Sequence, residues 1–92
     1  MNDARYVEHL PIFLDVARLG SFSAAARQLG MVPSSLVRHI DALESALGAT
    51  LFVRSTRGLL LTDAGELLLA RAAALMTDIT GIRAELSALN ET

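Results

Sequence analysis

Apolar residues recur along this chain at helical spacing in four places, and the pattern breaks in one. Leu10, Phe13, Leu14 and Ala17 lie on one face of a first helix. Pro11 fits a first turn, where a missing N–H costs nothing. This predicts a helix from near His9 to Pro11 and ending before Gly20, with residues 1–8 polar and frayed. Phe22, Ala25, Ala26 and Leu29 mark a second, short helix. Ser21 is suited to cap it, and Gly30 to stop it. Met31 and Val32 form a turn. Pro33 opens a third helix with an apolar face of Leu36, Ile40, Leu43 and Leu47, closed by Gly48. A short helix, a tight turn containing Gly and a longer helix make the layout of a helix-turn-helix. Phe22, Leu29, Leu36, Ile40, Leu43 and Phe52 are expected to be buried together.

After Gly48 the texture changes. Ala49 to Arg54 is short and partly β-branched, Ser55 to Gly58 is a turn, and Leu59 to Leu61 is a second short apolar run. Two such runs around a Gly-containing turn read as a hairpin. Behind a helix-turn-helix, a hairpin is a wing. Thr62 then caps a helix that continues to about Asn90, with Asp63 and Glu66 at the positive end of its dipole. About 28 residues at 1.5 Å each span about 40 Å, more than a small domain needs. Leu68, Ala72, Leu75, Ile79, Ile82, Leu86 and Leu89 follow one another at alternating steps of four and three. That is a coiled-coil seam. Its N-terminal end is expected on the chain's own core and its C-terminal end against a second copy. Gly81 weakens the helix locally. The expected fold is mostly α: a winged helix-turn-helix over residues 1–61, then a dimerisation helix over residues 62–92.

Composition narrows the classes. The chain has 92 residues, 52% hydrophobic, enough for one small packed core. It has no Cys, which excludes disulfides and thiolate metal sites. No apolar run reaches bilayer length and the N-terminus lacks a signal pattern, so a cytoplasmic protein is expected.

The net charge of −2 argues at first against nucleic acid, but its distribution does not. Residues 21–58 hold four arginines, Arg27, Arg38, Arg54 and Arg57, against Asp41 and Glu44. The other four arginines face eight acids. Every basic residue is Arg, whose fork matches phosphate and guanine. On the third helix, Ser34, Ser35, Val37, Arg38 and Asp41 fall off the apolar stripe. Short residues near a helix N-terminus, with an Arg beside them, suit close approach to a major groove. Arg54 and Arg57 fall on the hairpin. Ser23, Arg27 and Pro33 complete the set expected to contact DNA. The modest basic excess predicts weak binding by one copy and compensation by two on one duplex.

Five short motifs carry a resemblance. They are Phe13-Leu14-Asp15-Val16-Ala17, Gly20 to Ala26, Leu36 to Glu44, Leu47-Gly48 with Leu51-Phe52 and Arg54, and Leu61-Thr62-Asp63-Ala64-Gly65. In this order the chain resembles the N-terminal DNA-binding region of LysR-type transcriptional regulators along nearly its whole length. The resemblance implies a winged helix-turn-helix, a linker helix, a homodimer and, in a full-length protein, association to a tetramer. It also implies a C-terminal effector-binding domain, absent from these residues, through which a small-molecule co-inducer would act. No cofactor or metal is implied. Where the family usually has Ser-Gln-Pro, Val32, Pro33 and Ser34 stand here. Val37 replaces a Ser and offers apolar contact to a thymine methyl.

Other readings remain at this level. A helical dimeriser that binds protein would also carry the Leu68 to Leu89 seam, but has no need of Arg38, Arg54 and Arg57. Ser35 and His39 lie one helical turn apart, as in a hydrolase, yet an exposed helix supplies no oxyanion hole. His9 and His39 lack a third ligand at metal spacing.

Overall fold

The computed structural model describes residues 4–91, with side chains from Glu8 onward. The elements are α1 (Ala4–Leu19), α2 (Phe22–Leu29), α3 (Pro33–Leu47), β1 (Phe52–Ser55), β2 (Gly58–Leu61) and α4 (Asp63–Asn90). This is the expected winged helix-turn-helix followed by a long helix.

The start of α1 corrects one expectation. The helix begins at Ala4, not near His9, and Pro11 lies in its interior. A proline there removes one hydrogen bond to the carbonyl four residues back. Leu10, Phe13 and Leu14 flank Pro11 and are buried, so packing holds the helix through the gap. Residues 1–3 of the segment expected to fray lie outside the described residues.

The caps follow the sequence closely. The Ser21 hydroxyl accepts from the Ala24 N–H at 3.2 Å. Gly30 and Gly48 end α2 and α3 in the left-handed region, at φ 67° and 68°. Val32 caps α3 without a side-chain hydrogen bond, and Pro33 stands directly behind it.

The core joins α1, α2, α3, the start of β1 and the first turns of α4. Phe13, Val16, Leu36, Leu43 and Leu51 are its fully enclosed large side chains, with Ile40. Three expectations shift. Phe22 and Leu29 are half-buried at the margin of the core, not inside it. Leu47 is 41% exposed, because α3 ends there and Gly48 turns the chain away. Leu51, delivered by that turn, is buried instead.

The hairpin pairs Phe52 with Leu61 and Ser55 with Gly58, so Thr56 and Arg57 form its tip. The Ser55 hydroxyl donates to the Gly58 carbonyl and accepts the Arg57 N–H, both at 3.2 Å. Thr62 joins the hairpin to α4. Its hydroxyl accepts from the Gly65 N–H at 3.0 Å and donates to the Thr50 carbonyl at 2.6 Å.

Along α4, Leu68 is half-buried and Ala72 is buried against the domain itself. This is the N-terminal end of the seam, expected on the chain's own core, and Ala72 is enclosed there. From Thr80 to Glu91 every residue is exposed. Among the described residues, no helix is long and apolar enough to cross a membrane.

Candidate nucleic-acid interface

The N-terminal half of α3 presents the short residues that its sequence promised. Pro33, Ser34 and Arg38 are exposed, and Ser35 and Val37 are half-buried. The apolar stripe of Leu36, Ile40 and Leu43 turns inward and fixes this rotation. Asp41 is exposed farther along the same helix.

Three shallow hollows surround α3 and the hairpin. One, between α2 and the start of α3, is lined by Ser23, Ala26, Arg27, Met31 and Pro33. A second is lined by Ser35, Arg38 and His39 of α3 and by His9 of α1. The third lies between the start of α2 and the hairpin, with Ser21, Phe22, Ser23, Arg54 and Ser55 among its walls. Ser23 borders the first and third, so Ser23, Arg27, Pro33 and Arg54 lie along one surface, while Ser35 and Arg38 line the second hollow farther along α3. Asp41 lines none of these three hollows. Arg57 stands apart at the hairpin tip, where it can reach outward alone.

Electrostatics favour an anion on this surface. Among the described residues, Arg27, Arg38, Arg54 and Arg57 form no ion pair with a carboxylate, whereas Arg18 pairs with Asp15 at 4.0 Å. The N-terminus of α2 opens into the third hollow, beside Arg54. A helix N-terminus carries a partial positive charge and unsatisfied N–H groups.

Two features of the site are not visible in the sequence. The Nδ1 atoms of His9 and His39 lie 3.0 Å apart, so one ring donates to the other across α1 and α3. Thirty positions separate them, and no spacing rule links such a pair. Phe22 is the second. Its ring lies 4.9 Å beneath the guanidinium carbon of Arg54. Helical periodicity marks Phe22 as apolar and says nothing of the cation above it.

Residues 7–66 match the family model described as bacterial regulatory helix-turn-helix protein, lysR family. The chain is 42% identical over 78 residues to the HTH-type transcriptional regulator BbuR of Bordetella bronchiseptica, covering 85% of this chain and 24% of that protein. It is 38% identical over 84 residues to the regulator CrgA of Neisseria meningitidis, covering 91% of this chain and 28% of that one. The chain thus spans about a quarter of the length of these curated relatives. Among solved structures, it is similar to the BenM DNA-binding domain in complex with catB site 1 DNA. The TM-score is 0.88 at 27% identity, covering 92% of this chain and 96% of that one. It is also similar to Vibrio fischeri DarR in complex with DNA, with TM-score 0.85 and 30% identity, covering 99% of this chain and 30% of that one.

Proposed function

Because the chain belongs to the LysR family of bacterial regulatory helix-turn-helix proteins, we propose that it binds double-stranded DNA sequence-specifically, as the DNA-binding part of a dimeric transcription regulator. The observation that carries this reading is the set of four arginines, Arg27, Arg38, Arg54 and Arg57, which have no carboxylate partner among the described residues and are gathered on the helix-turn-helix and hairpin of a chain whose net charge is −2.

Residues 1–61 act as the DNA-binding unit and residues 62–92 as the linker. The N-terminal half of α3 enters the major groove. Ser34, Ser35, Val37 and Arg38 face base edges there, and Ser23, Arg27, Pro33 and Asp41 flank them. Arg54 and Arg57 take phosphates or the neighbouring minor groove. Phosphate contacts set affinity and register, while base-edge contacts set sequence.

The outer half of α4 brings two copies together. Leu75, Ile82, Leu86 and Leu89 are exposed large apolar residues on the heptad stripe, and Ile79 is half-buried beside them. Two copies then engage one duplex, which offsets the weak affinity of each. In the whole protein, an effector domain and its co-inducer act through this helix, and dimers associate further. The site performs no reaction: Ser35 serves DNA contact, and His39 pairs with His9 against the body of the domain. The protein works in the cytoplasm, where the chromosome lies.

The test is titration of the chain with a fluorescent duplex at several salt concentrations. Binding should weaken linearly on a log–log plot, with a slope of about 0.9 per phosphate contact. Selection from random-sequence duplexes should enrich one motif. Absence of binding at low salt, or enrichment of no motif, overturns the proposal.

A further inference from the structure

Arg54 is an exposed residue on a two-stranded hairpin, a place where a long side chain ordinarily samples many rotamers. Here its guanidinium lies over the ring of Phe22, 4.9 Å from carbon to centroid. The ring is itself held. Phe22 is the first residue of α2, directly after the Ser21 cap. It packs edge-on against Phe52, with centroids 6.1 Å apart and planes at 70°. Phe52 in turn packs on Phe13, at 5.4 Å and 45°. Phe13 is fully buried, so a chain of three rings ties the arginine to the centre of the core.

The strand supplies the matching register. Successive side chains of β1 alternate between faces, so Phe52 and Arg54 share a face and Val53 takes the other. Phe22 therefore meets both the apolar residue and the cation of that face. A guanidinium held against a ring face keeps N–H groups at its edge for a further partner. That edge is what forks onto a phosphate. Arg54 borders the hollow walled by Ser21, Ser23 and Ser55, which opens at the start of α2.

We infer that Phe22 is a positioning residue for DNA binding, holding Arg54 in the orientation in which its N–H edge meets a backbone phosphate. The inference rests on the DNA-binding reading above and assigns Phe22 a role beyond packing. Only an aromatic ring can fill it. Tyr offers the same π face, whereas Leu fills the space without a quadrupole to attract the cation.

The experiment is a double-mutant cycle on a fluorescent duplex, read at two salt concentrations and at a temperature where circular dichroism shows every variant folded. Arg54→Ala should weaken binding about tenfold and lower the salt slope by about one. Phe22→Leu should weaken binding several-fold alone and cause no further loss with Arg54→Ala. Phe22→Tyr should bind like the unaltered chain. In NMR spectra of the unaltered chain, the Arg54 side-chain protons should be shifted upfield by the ring current, and Phe22→Leu should abolish that shift. Unaltered binding by Phe22→Leu overturns the inference, provided Arg54→Ala is weakened. Equal loss from Phe22→Leu in both Arg54 backgrounds also overturns it, because Phe22 then acts through the fold alone. Unshifted Arg54 protons in the unaltered chain overturn it even if Phe22→Leu fails to fold. Unaltered binding by Arg54→Ala instead overturns the assignment of the hairpin to phosphate, a separate failure.

Discussion

The carboxylate of Glu44 accepts the backbone N–H of Leu51 at 2.6 Å and reaches that of Phe52 at 3.4 Å. One side chain on the last turns of α3 thereby fixes the strand that leads into the hairpin. Charge-assisted hydrogen bonds to backbone are about twice as strong as neutral ones. Glu44→Ala should cost about 1–3 kcal/mol, since it leaves two N–H groups without their acceptor. Glu44→Gln keeps an acceptor oxygen and should cost less. Urea denaturation checks this: the midpoint should fall in that order with an unchanged slope.

Two glycines of α4 should respond in opposite directions. Gly65 packs against the carbonyl of Leu51, and a methyl built on it would stand 2.8 Å from Leu61 Cδ2. Backbone cannot give way as a flexible side-chain end can. Gly65→Ala should therefore destabilise by about 1–3 kcal/mol, as overpacking does. Gly81 has nothing within 4 Å of the same built atom. Gly81→Ala should strengthen the outer half of α4 by about 0.5–1 kcal/mol. Thermal melts followed at 222 nm should move down for the first variant and up for the second.

What the sequence made legible is local. Gly30, Gly48, Ser21 and Thr62 each punctuate the chain through their own chemistry, and the helices end or begin at them. What it left dark depends on partners distant in the chain. Pro11 reads as a helix start because its missing N–H suits a first turn, whereas the packing that carries α1 through it comes from elements distant in the chain. Leu47 continues the spacing of Leu36, Ile40 and Leu43, but whether it is covered depends on what lies opposite the last turn, which spacing does not register. The candidate DNA surface was legible as residue types on α3. The third hollow was not, because it depends on the hairpin folding back beside Ser21 and Phe22.

The inner and outer positions of α3 should separate sharply on truncation. Leu36 and Ile40 are enclosed and Leu47 is not. Leu36→Ala or Ile40→Ala should cost about 2–5 kcal/mol. Leu47→Ala should cost less than about 1 kcal/mol. The same urea titration reads all three. Equal midpoints for Leu47→Ala and Leu36→Ala would contradict the rotation assigned to the helix, and with it the outward placement of Ser34 and Arg38.

Self-association should depend on the outer half of α4 and not on the domain that precedes it. Ile82 and Leu86 are 54% and 56% exposed. Ile82→Glu with Leu86→Glu adds like charges on the stripe of both copies and removes apolar contact between them. Sedimentation equilibrium should show a dimer for the unaltered chain and a monomer for the double variant. The core transition in urea should persist in the monomer, because neither residue belongs to the core. A variant that remains dimeric would place the contact elsewhere on the surface.

The arginines should divide between affinity and sequence. Arg57 sits exposed at the hairpin tip, and the proposed function gives it backbone phosphates or the neighbouring minor groove. Arg57→Ala should weaken binding about equally on a duplex selected by the chain and on a random one. It should also lower the salt slope by about one. Arg38 is exposed in the same half of α3 as Ser34 and Ser35, where a groove-bound helix meets base edges. Arg38→Ala should cost about 1–3 kcal/mol on the selected duplex and much less on the random one. Titration of both variants on both duplexes at two salt concentrations separates the roles. Equal loss on both duplexes for Arg38→Ala would make it a phosphate contact. Sequence would then be read by Ser34, Ser35 and Val37, whose short side chains require closer approach of α3 to the groove floor, or by the deformability of the duplex.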